Sequence, residues 1–226
     1  NERRFTADAA HELRTPLAAL KVQTQVARRS RDATLRDHAL GQIESGVDRA
    51  THLVEQLLRL ARLDPLKSVE SAAPIDLRAI LTEAAGQARN ASPPAAQKII
   101  ETYPPGDLIS HGDADLIGIA IRNLLDNAIR YTQSEHTVWL EASTGADGYT
   151  LSVRDNGPGV PPATLARLGE RFYRGRETSA EGNGLGLAIV TRVAELHGAR
   201  FEVANAPGGG FVASMAGLPA RRPASA

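Results

Sequence analysis

The sequence predicts a chain of two domains: an all-α helical hairpin suited to a dimeric four-helix bundle, then an α/β sandwich with a mixed sheet. Three observations carry this. Apolar positions in residues 1–65 recur every three and four residues. Residues 66–73 show no period and read as a linker. From Pro74 to about residue 218, helical patterns alternate with short strand-like runs, punctuated by glycine turns.

In the first helix, Ala10, Leu13, Leu17, Leu20, Thr24 and Ala27 are spaced 3, 4, 3, 4, 3. In the second, Leu40, Ile43, Val47, Ala50, Val54, Leu57 and Ala61 continue the same rhythm. Heptads of this kind form the seams of bundles and coiled coils. Asp32 suits a helix start and Asp64-Pro65 a stop. A lone hairpin buries too little surface to be stable, so pairing two into a homodimer is the expectation. The alternative is a hairpin packed on the rest of the chain, since heptads specify packing and not partner.

In the second domain, residues 77–89 read as a helix with Leu77, Ile80, Leu81 and Ala84 on one face. Residues 98–103 and 108–111 are short strands, and 113–131 form a strongly apolar helix. Residues 137–143 and 149–154 alternate as a hairpin about a turn at 145–148. Residues 184–197 read as a helix with Gly198 as its C-cap. Residues 199–205 and 211–215 form a last hairpin across Gly208-Gly209-Gly210, and 219–226 read as a disordered tail.

Composition narrows the function. The 226 residues include 26 Lys+Arg and 26 Asp+Glu, so the formal net charge is zero and a polycation acting on nucleic acid is not expected. Aromatic residues are 4%, too few for a base-stacking platform. Cysteine is absent, which removes disulfides, thiolate catalysis and Cys-ligated zinc. No run of about 18 apolar residues exists to cross a bilayer. The start, Asn1-Glu2-Arg3-Arg4, has neither an initiator Met nor a signal peptide, which points to a fragment or processed chain.

His11-Glu12-Leu13-Arg14-Thr15-Pro16 interrupts the first heptad run. With Ala10 and Leu13 facing inward, His11 sits beside the seam and faces solvent. An imidazole there is a nucleophile if a carboxylate holds one ring N–H and leaves the other nitrogen's lone pair free. Glu12 is the candidate orienter or base, and Thr15, one turn on, could position a water. Pro16 removes a helical hydrogen bond and clashes with the carbonyl of Glu12, so any bend falls beside this site. His38, His52, His111, His136 and His197 have no such surroundings, and no pair forms a zinc-protease motif.

The second domain has no P-loop and no dinucleotide fingerprint. It has three separated elements instead. Asn123 and Asn127 share a face of an otherwise apolar helix, with Arg130 and Tyr131 just beyond. Carboxamides are costly to bury unless they bind something; an amide oxygen is a hard ligand for Mg²⁺, and Arg130 suits phosphate. Asp155-Asn156-Gly157-Pro158-Gly159 ends a strand. Its carboxylate can accept from an exocyclic amine while Gly157 and Gly159 admit a flat ring. Gly182-Asn183-Gly184-Leu185-Gly186-Leu187 opens a helix with exposed N–H groups, an anion site. Each is weak alone. Together they supply a metal ligand, an adenine acceptor and a phosphate cradle.

With these motifs in order, the chain resembles the cytoplasmic core of sensor histidine kinases of two-component systems, over residues 5–218. Residues 11–17 resemble the family's H box, 123–131 its N box, 155–159 its G1 box, 170–174 its F box and 182–187 its G2 box. The resemblance implies a Bergerat fold shared with gyrase-type ATPases, with a dimerisation and phosphotransfer hairpin at 1–65 and an ATP-binding domain at 74–218. It implies that His11 accepts phosphate from ATP and passes it to an aspartate of a response regulator. Glu12 and Thr15 match positions tied to base assistance and to regulator dephosphorylation. Asn127 would ligate Mg²⁺, Asn123 would support the phosphate region, Arg130 would meet phosphate and Tyr131 the nucleotide. Asp155, with Gly157 and Gly159, would take adenine. Gly182, Gly184, Leu185, Gly186 and Leu187 would flank the triphosphate, and Phe172 and Arg174 would belong to a mobile lid from 170 to 181. Ala10 and Asn183 depart from commoner residues without removing a ligand. The family's membrane attachment, where present, lies in upstream segments. A phosphatase-dominant member, a non-kinase ATPase and a dimeric scaffold are the other readings.

Overall fold

The computed structural model describes residues 2–69, 72–91, 97–131, 136–175 and 182–220. The chain divides into two compact units, residues 1–61 and 62–226.

The first unit consists of helix α1 (Glu2–Arg29) and most of helix α2 (Ala33–Leu63). Asp32 caps α2: its Oδ1 accepts from the N–H groups of Thr34 at 2.8 Å and Leu35 at 3.4 Å. The helices pack along a stripe offset from the expected one. On α2 the shielded positions are Ala39, Ile43, Gly46, Ala50, Leu53, Leu57 and Leu60. Ile43, Ala50 and Leu57 were expected; Leu40, Val47 and Val54 remain 47%, 48% and 40% exposed. On α1, Ala9, Leu13, Pro16, Leu20, Gln23 and Ala27 are partly shielded, whereas Ala10, Leu17 and Thr24 are exposed. Each helix therefore carries two apolar ridges one residue apart, and the heptad count merged them. Gly46 permits the close approach, because a Cβ there would lie 2.7 Å from Leu20 Cδ2.

The second unit is a mixed sheet covered by helices. Its strands are β2 (Gln97–Thr102), β4 (His136–Gly145), β5 (Gly148–Asp155), β6 (Arg200–Asn205) and β7 (Phe211–Leu218), in the order β2-β4-β5-β7-β6. Among the described residues only β2 and β4 pair in parallel; the other neighbours in this sheet are antiparallel. Helices α3 (Leu77–Ala91), α4 (Ala114–Tyr131) and α6 (Gly186–Leu196) form the other layer. Burial alternates along β5, with Leu151 and Val153 inward and Ser152 and Arg154 outward. The helical layer contributes Leu81, Ile121, Leu125, Ile189 and Val193 to the apolar core, all fully buried. On the outer face the Arg154 guanidinium stacks 3.9 Å from the Trp139 ring centre.

Two small elements escaped the pattern. Strand β1 (Ala73–Asp76) pairs antiparallel with β3 (Ile109–Gly112), and α5 (Pro162–Leu165) is a single turn. Both are too short to show a period. Asp76 and Asp113 cap α3 and α4 through backbone N–H groups of Arg78 and Leu116, at 2.9 and 3.0 Å. Helix α6 starts at Gly186 rather than 184, because Gly184 is left-handed, with φ +68°. Gly198 caps its far end as expected, with Ala199 N–H returning to Ala194 O at 2.9 Å.

The linker and tail expectations need correction where residues are described. Val69 N–H donates to Leu196 O at 3.3 Å, and Ala73 is in β1, so 66–73 is not a free linker throughout; 70 and 71 lie outside the described residues. The tail begins pinned: the fully buried Ser110 hydroxyl donates to Pro219 O at 2.8 Å, and Ala220 bridges Ser110. A buried hydroxyl needs an acceptor, and this carbonyl supplies it. Residues 221–226 lie outside the described residues.

Candidate nucleotide site and phosphoacceptor

Helix α4 is apolar on the face that meets the sheet and α6, with Ile117, Ile121, Leu124, Leu125 and Ala128 buried. Asn123 and Asn127 fall at its margin and are half-buried. Asn123 Nδ2 donates back to Ile119 O at 2.9 Å. Its Oδ1 lies 3.0 Å from where a Cβ would stand on Gly186, the first residue of α6. This brings the first carboxamide to the start of α6. About two turns further, Arg130 and Tyr131 reach the preceding loop: a Cβ on Gly182 would lie 3.3 Å from Arg130 Nη1 and 3.8 Å from Tyr131 OH.

The α6 start is uncapped by any side chain at its N-cap, Leu185; Asn183 Oδ1 accepts only a long 3.4 Å bond from Leu185 N–H. Backbone N–H groups at such an end form an anion site. The Leu185 side chain is itself fully buried, so what it offers a ligand is backbone, while Leu187 is half-buried. Gly184 is the tightest point of this loop. A Cβ there would meet Phe172 C and Tyr173 O at 2.8 Å, and Phe172 N–H donates to Gly184 O at 3.0 Å. Residues 170–174 are thus stitched to the loop at 182–186. Arg174 is exposed, and residues 176–181 of the expected lid lie outside the described residues.

Asp155 ends β5 and is 5% exposed. Its Oδ1 accepts from Gly157 N–H at 2.8 Å and Phe211 N–H at 3.2 Å. Those bonds fix the carboxylate, with the Gly157–Gly159 backbone turning away beside it. Gly159 has φ +74°, and a Cβ there would lie 2.9 Å from Asn205 Oδ1. Asn205 braces this turn twice, accepting from Val160 N–H and donating to Val160 O, each at 2.8 Å. Sequence reading took Asn205 only as a strand end; a carboxamide just before a glycine turn is the signal that was available.

His11 and Thr15 are exposed on α1, four residues apart on one face, and Glu12 is half-buried. Pro16 lies inside the continuous helix, which leaves the Glu12 carbonyl without its usual partner. His197, by contrast, is buried and structural: Nε2 accepts from Asp113 N–H at 3.0 Å, and Nδ1 lies 2.8 Å from Val193 O.

No group of three His, Cys, Asp or Glu that could hold a metal exists among the described residues.

These features define a class: an α/β domain whose glycine loop opens a helix with exposed N–H groups, in one chain with a histidine-bearing hairpin. The comparisons agree. Residues 112–222 match the model of the histidine kinase-, DNA gyrase B- and HSP90-like ATPases, and residues 1–66 match that of the His Kinase A (phospho-acceptor) domain. The chain is 47% identical over 215 residues to the sensor protein QseC of Escherichia coli K12, covering 95% of this chain and 47% of that protein. It therefore spans about half the length of the curated relatives it matches. A solved cytoplasmic segment of histidine kinase QseC is 31% identical, covers 76% of this chain and 95% of that one, and superposes with a TM-score of 0.54. Full-length ShkA in complex with AMPPNP gives a TM-score of 0.70 over 98% of this chain and 47% of that one, at 28% identity. The chain belongs to the sensor histidine kinases of two-component systems.

Proposed function

We propose that this chain is an ATP-dependent protein-histidine kinase that phosphorylates itself on His11 and passes the phosphoryl group to an aspartate of a response regulator. The observation that carries the reading is the convergence of Arg130, Tyr131 and Asn123 on Gly182–Gly186 at the open start of α6, in a chain whose hairpin bears an exposed His11.

In this reading Asp155 accepts from the adenine amine, and the backbone at 157–159 lies along the base. Arg130 and the N–H groups at the start of α6 hold phosphate oxygens. Magnesium bound with ATP, with Asn127 as protein donor, would offset charge on the phosphates. One ring nitrogen of His11 bonds through its lone pair to the γ-phosphorus, the bond from phosphorus to the ADP oxygen breaks, and the proton on the other ring nitrogen passes to Glu12. Transfer onward forms an aspartyl phosphate and frees the imidazole. Thr15, exposed one turn from His11, suits the positioning of a water for the dephosphorylation of the regulator.

The active unit is a homodimer, in which Leu40, Val47 and Val54 meet their counterparts. Among the described residues no helix is long and apolar enough to cross a membrane. Attachment to the bacterial inner membrane, with this part in the cytoplasm, falls to the rest of the full-length protein. Incubation with γ-labelled ATP and Mg²⁺, then acid and base treatment and peptide mapping, tests the reading. Acid-labile, base-stable label on His11 is expected; acid-stable label, or label elsewhere, overturns it.

A further inference from the structure

Helix α2 ends at Leu63 because Pro65 cannot continue it, which leaves carbonyls without helical partners. Arg192 of α6 takes them. Its Nε donates to Leu63 O at 3.2 Å, its Nη2 donates to Asp64 O at 3.3 Å and also to Leu66 O, and Nη1 pairs with Glu195 at 2.8 Å. With the Val69–Leu196 bond, residues 63–69 are fastened along α6. This holds the Asp64 carboxylate where Arg171 forks onto it, Nη1 to Oδ2 at 2.9 Å and Nη2 to Oδ1 at 2.5 Å. Planar two-point pairing fixes direction as well as distance.

The next residue, Phe172, is the only non-glycine with positive φ among the described residues, at +61°. A bulky side chain in that region is strained and persists only where its surroundings over-determine it. Here the turn is tied on both sides: Arg171 to Asp64 before it, and Phe172 N–H to Gly184 O within the phosphate loop. We propose that Asp64 and Arg171 are positioning residues for the nucleotide, acting through Phe172 on Gly184. The path from the end of α2 to the phosphate loop is then one ion pair and one backbone hydrogen bond long.

This inference rests on residues 182–186 holding ATP, and the test separates the two. Nucleotide affinity is measured on the full 226-residue chain with a fluorescent ATP analogue, and kcat and KM for ATP by labelling, for the native chain, Asp64→Asn, Arg171→Gln and the swap Asp64→Arg with Arg171→Asp. Each single variant is expected to weaken binding and raise KM by about threefold to fivefold, the scale of a half-exposed ion pair, with kcat little changed. The swap restores both. High salt should weaken binding in the native chain more than in Asp64→Asn. A merely structural pair would lower Tm without moving KM. Native affinity in both single variants, or failure of the swap to restore KM, overturns the relay. A native chain that binds no nucleotide overturns the functional reading, and this inference with it.

Discussion

Asp155 Oδ1 accepts the backbone N–H of Phe211 at 3.2 Å, across 56 residues of sequence. The carboxylate that would read adenine is thereby locked to β7, and to Gly157 N–H at 2.8 Å. Asp155→Asn keeps the shape but loses the charged acceptor. It should weaken ATP binding by about tenfold or more, the worth of a hydrogen bond to a charged group. Asp155→Ala should also lower Tm, because it strands the buried Phe211 N–H at a cost of about 1–3 kcal/mol. Titration with a fluorescent ATP analogue, and thermal melts, check both; unchanged affinity in Asp155→Asn would remove Asp155 from the site.

His11→Ala should abolish acid-labile labelling and leave nucleotide affinity intact, because His11 is exposed in the hairpin unit. Asn127→Ala should lose labelling together with Mg²⁺-dependent binding. Retained labelling in either variant breaks the assignment it tests.

Gly184→Ala places a methyl 2.8 Å from two backbone atoms and forces alanine to φ +68°. Neither neighbour is a flexible side-chain tip. A destabilisation of about 1–3 kcal/mol is expected, with loss of saturable ATP binding. Calorimetry and binding on the same sample check it; a native Tm would show that this loop is slack.

Leu40, Val47 and Val54 repeat every seven residues and stay open on the hairpin of one protomer. Val47→Asp should shift the chain from dimer to monomer in sedimentation velocity, and the monomer should still bind ATP. If the mass is unaffected by this change, the dimer uses another face.

Stability should fall at both pH extremes through one cluster. Burial by itself would raise the Glu101 carboxyl, but hydrogen bonds from Tyr103 OH and Arg89 Nη2, both at 2.6 Å, outweigh it and hold it below its ordinary 4.5. Its contribution is present above that value and lost as pH falls through the lower folded one. Burial and the Glu101 hydrogen bond push the Tyr103 phenol well above its ordinary 10.0. That contribution is complete below pH 10.0 and lost as pH rises toward the folded value. Glu101→Gln should flatten both arms of a Tm-against-pH curve; a parallel curve would place the pH dependence elsewhere.

Much of this fold is legible in the sequence. The caps at Asp32 and Gly198 are local chemistry, as are the glycine turns that close the hairpins. So are the five motifs, since each needs only neighbours within a few residues. Helix and strand periods identified every long element, because burial on one face imposes them. β1 and α5 were hidden because they are shorter than any period.

Which apolar ridge of the hairpin turns inward was not legible. Two adjacent ridges, Leu53 beside Val54 and Ala39 beside Leu40, both follow the heptad. The close fit of Leu20 against Gly46 is a tertiary feature that the heptad does not encode. The sequence alone marked which residues are candidates to carry chemistry, because motif chemistry is written in residue types at short spacing. Tertiary structure alone decided their neighbours: Asn123 at Gly186, Asp155 at Phe211, Asp64 at Arg171. Those pairings join residues 56 and 107 positions apart in the last two cases, and only close packing of the whole domain brings such distant groups within hydrogen-bond reach.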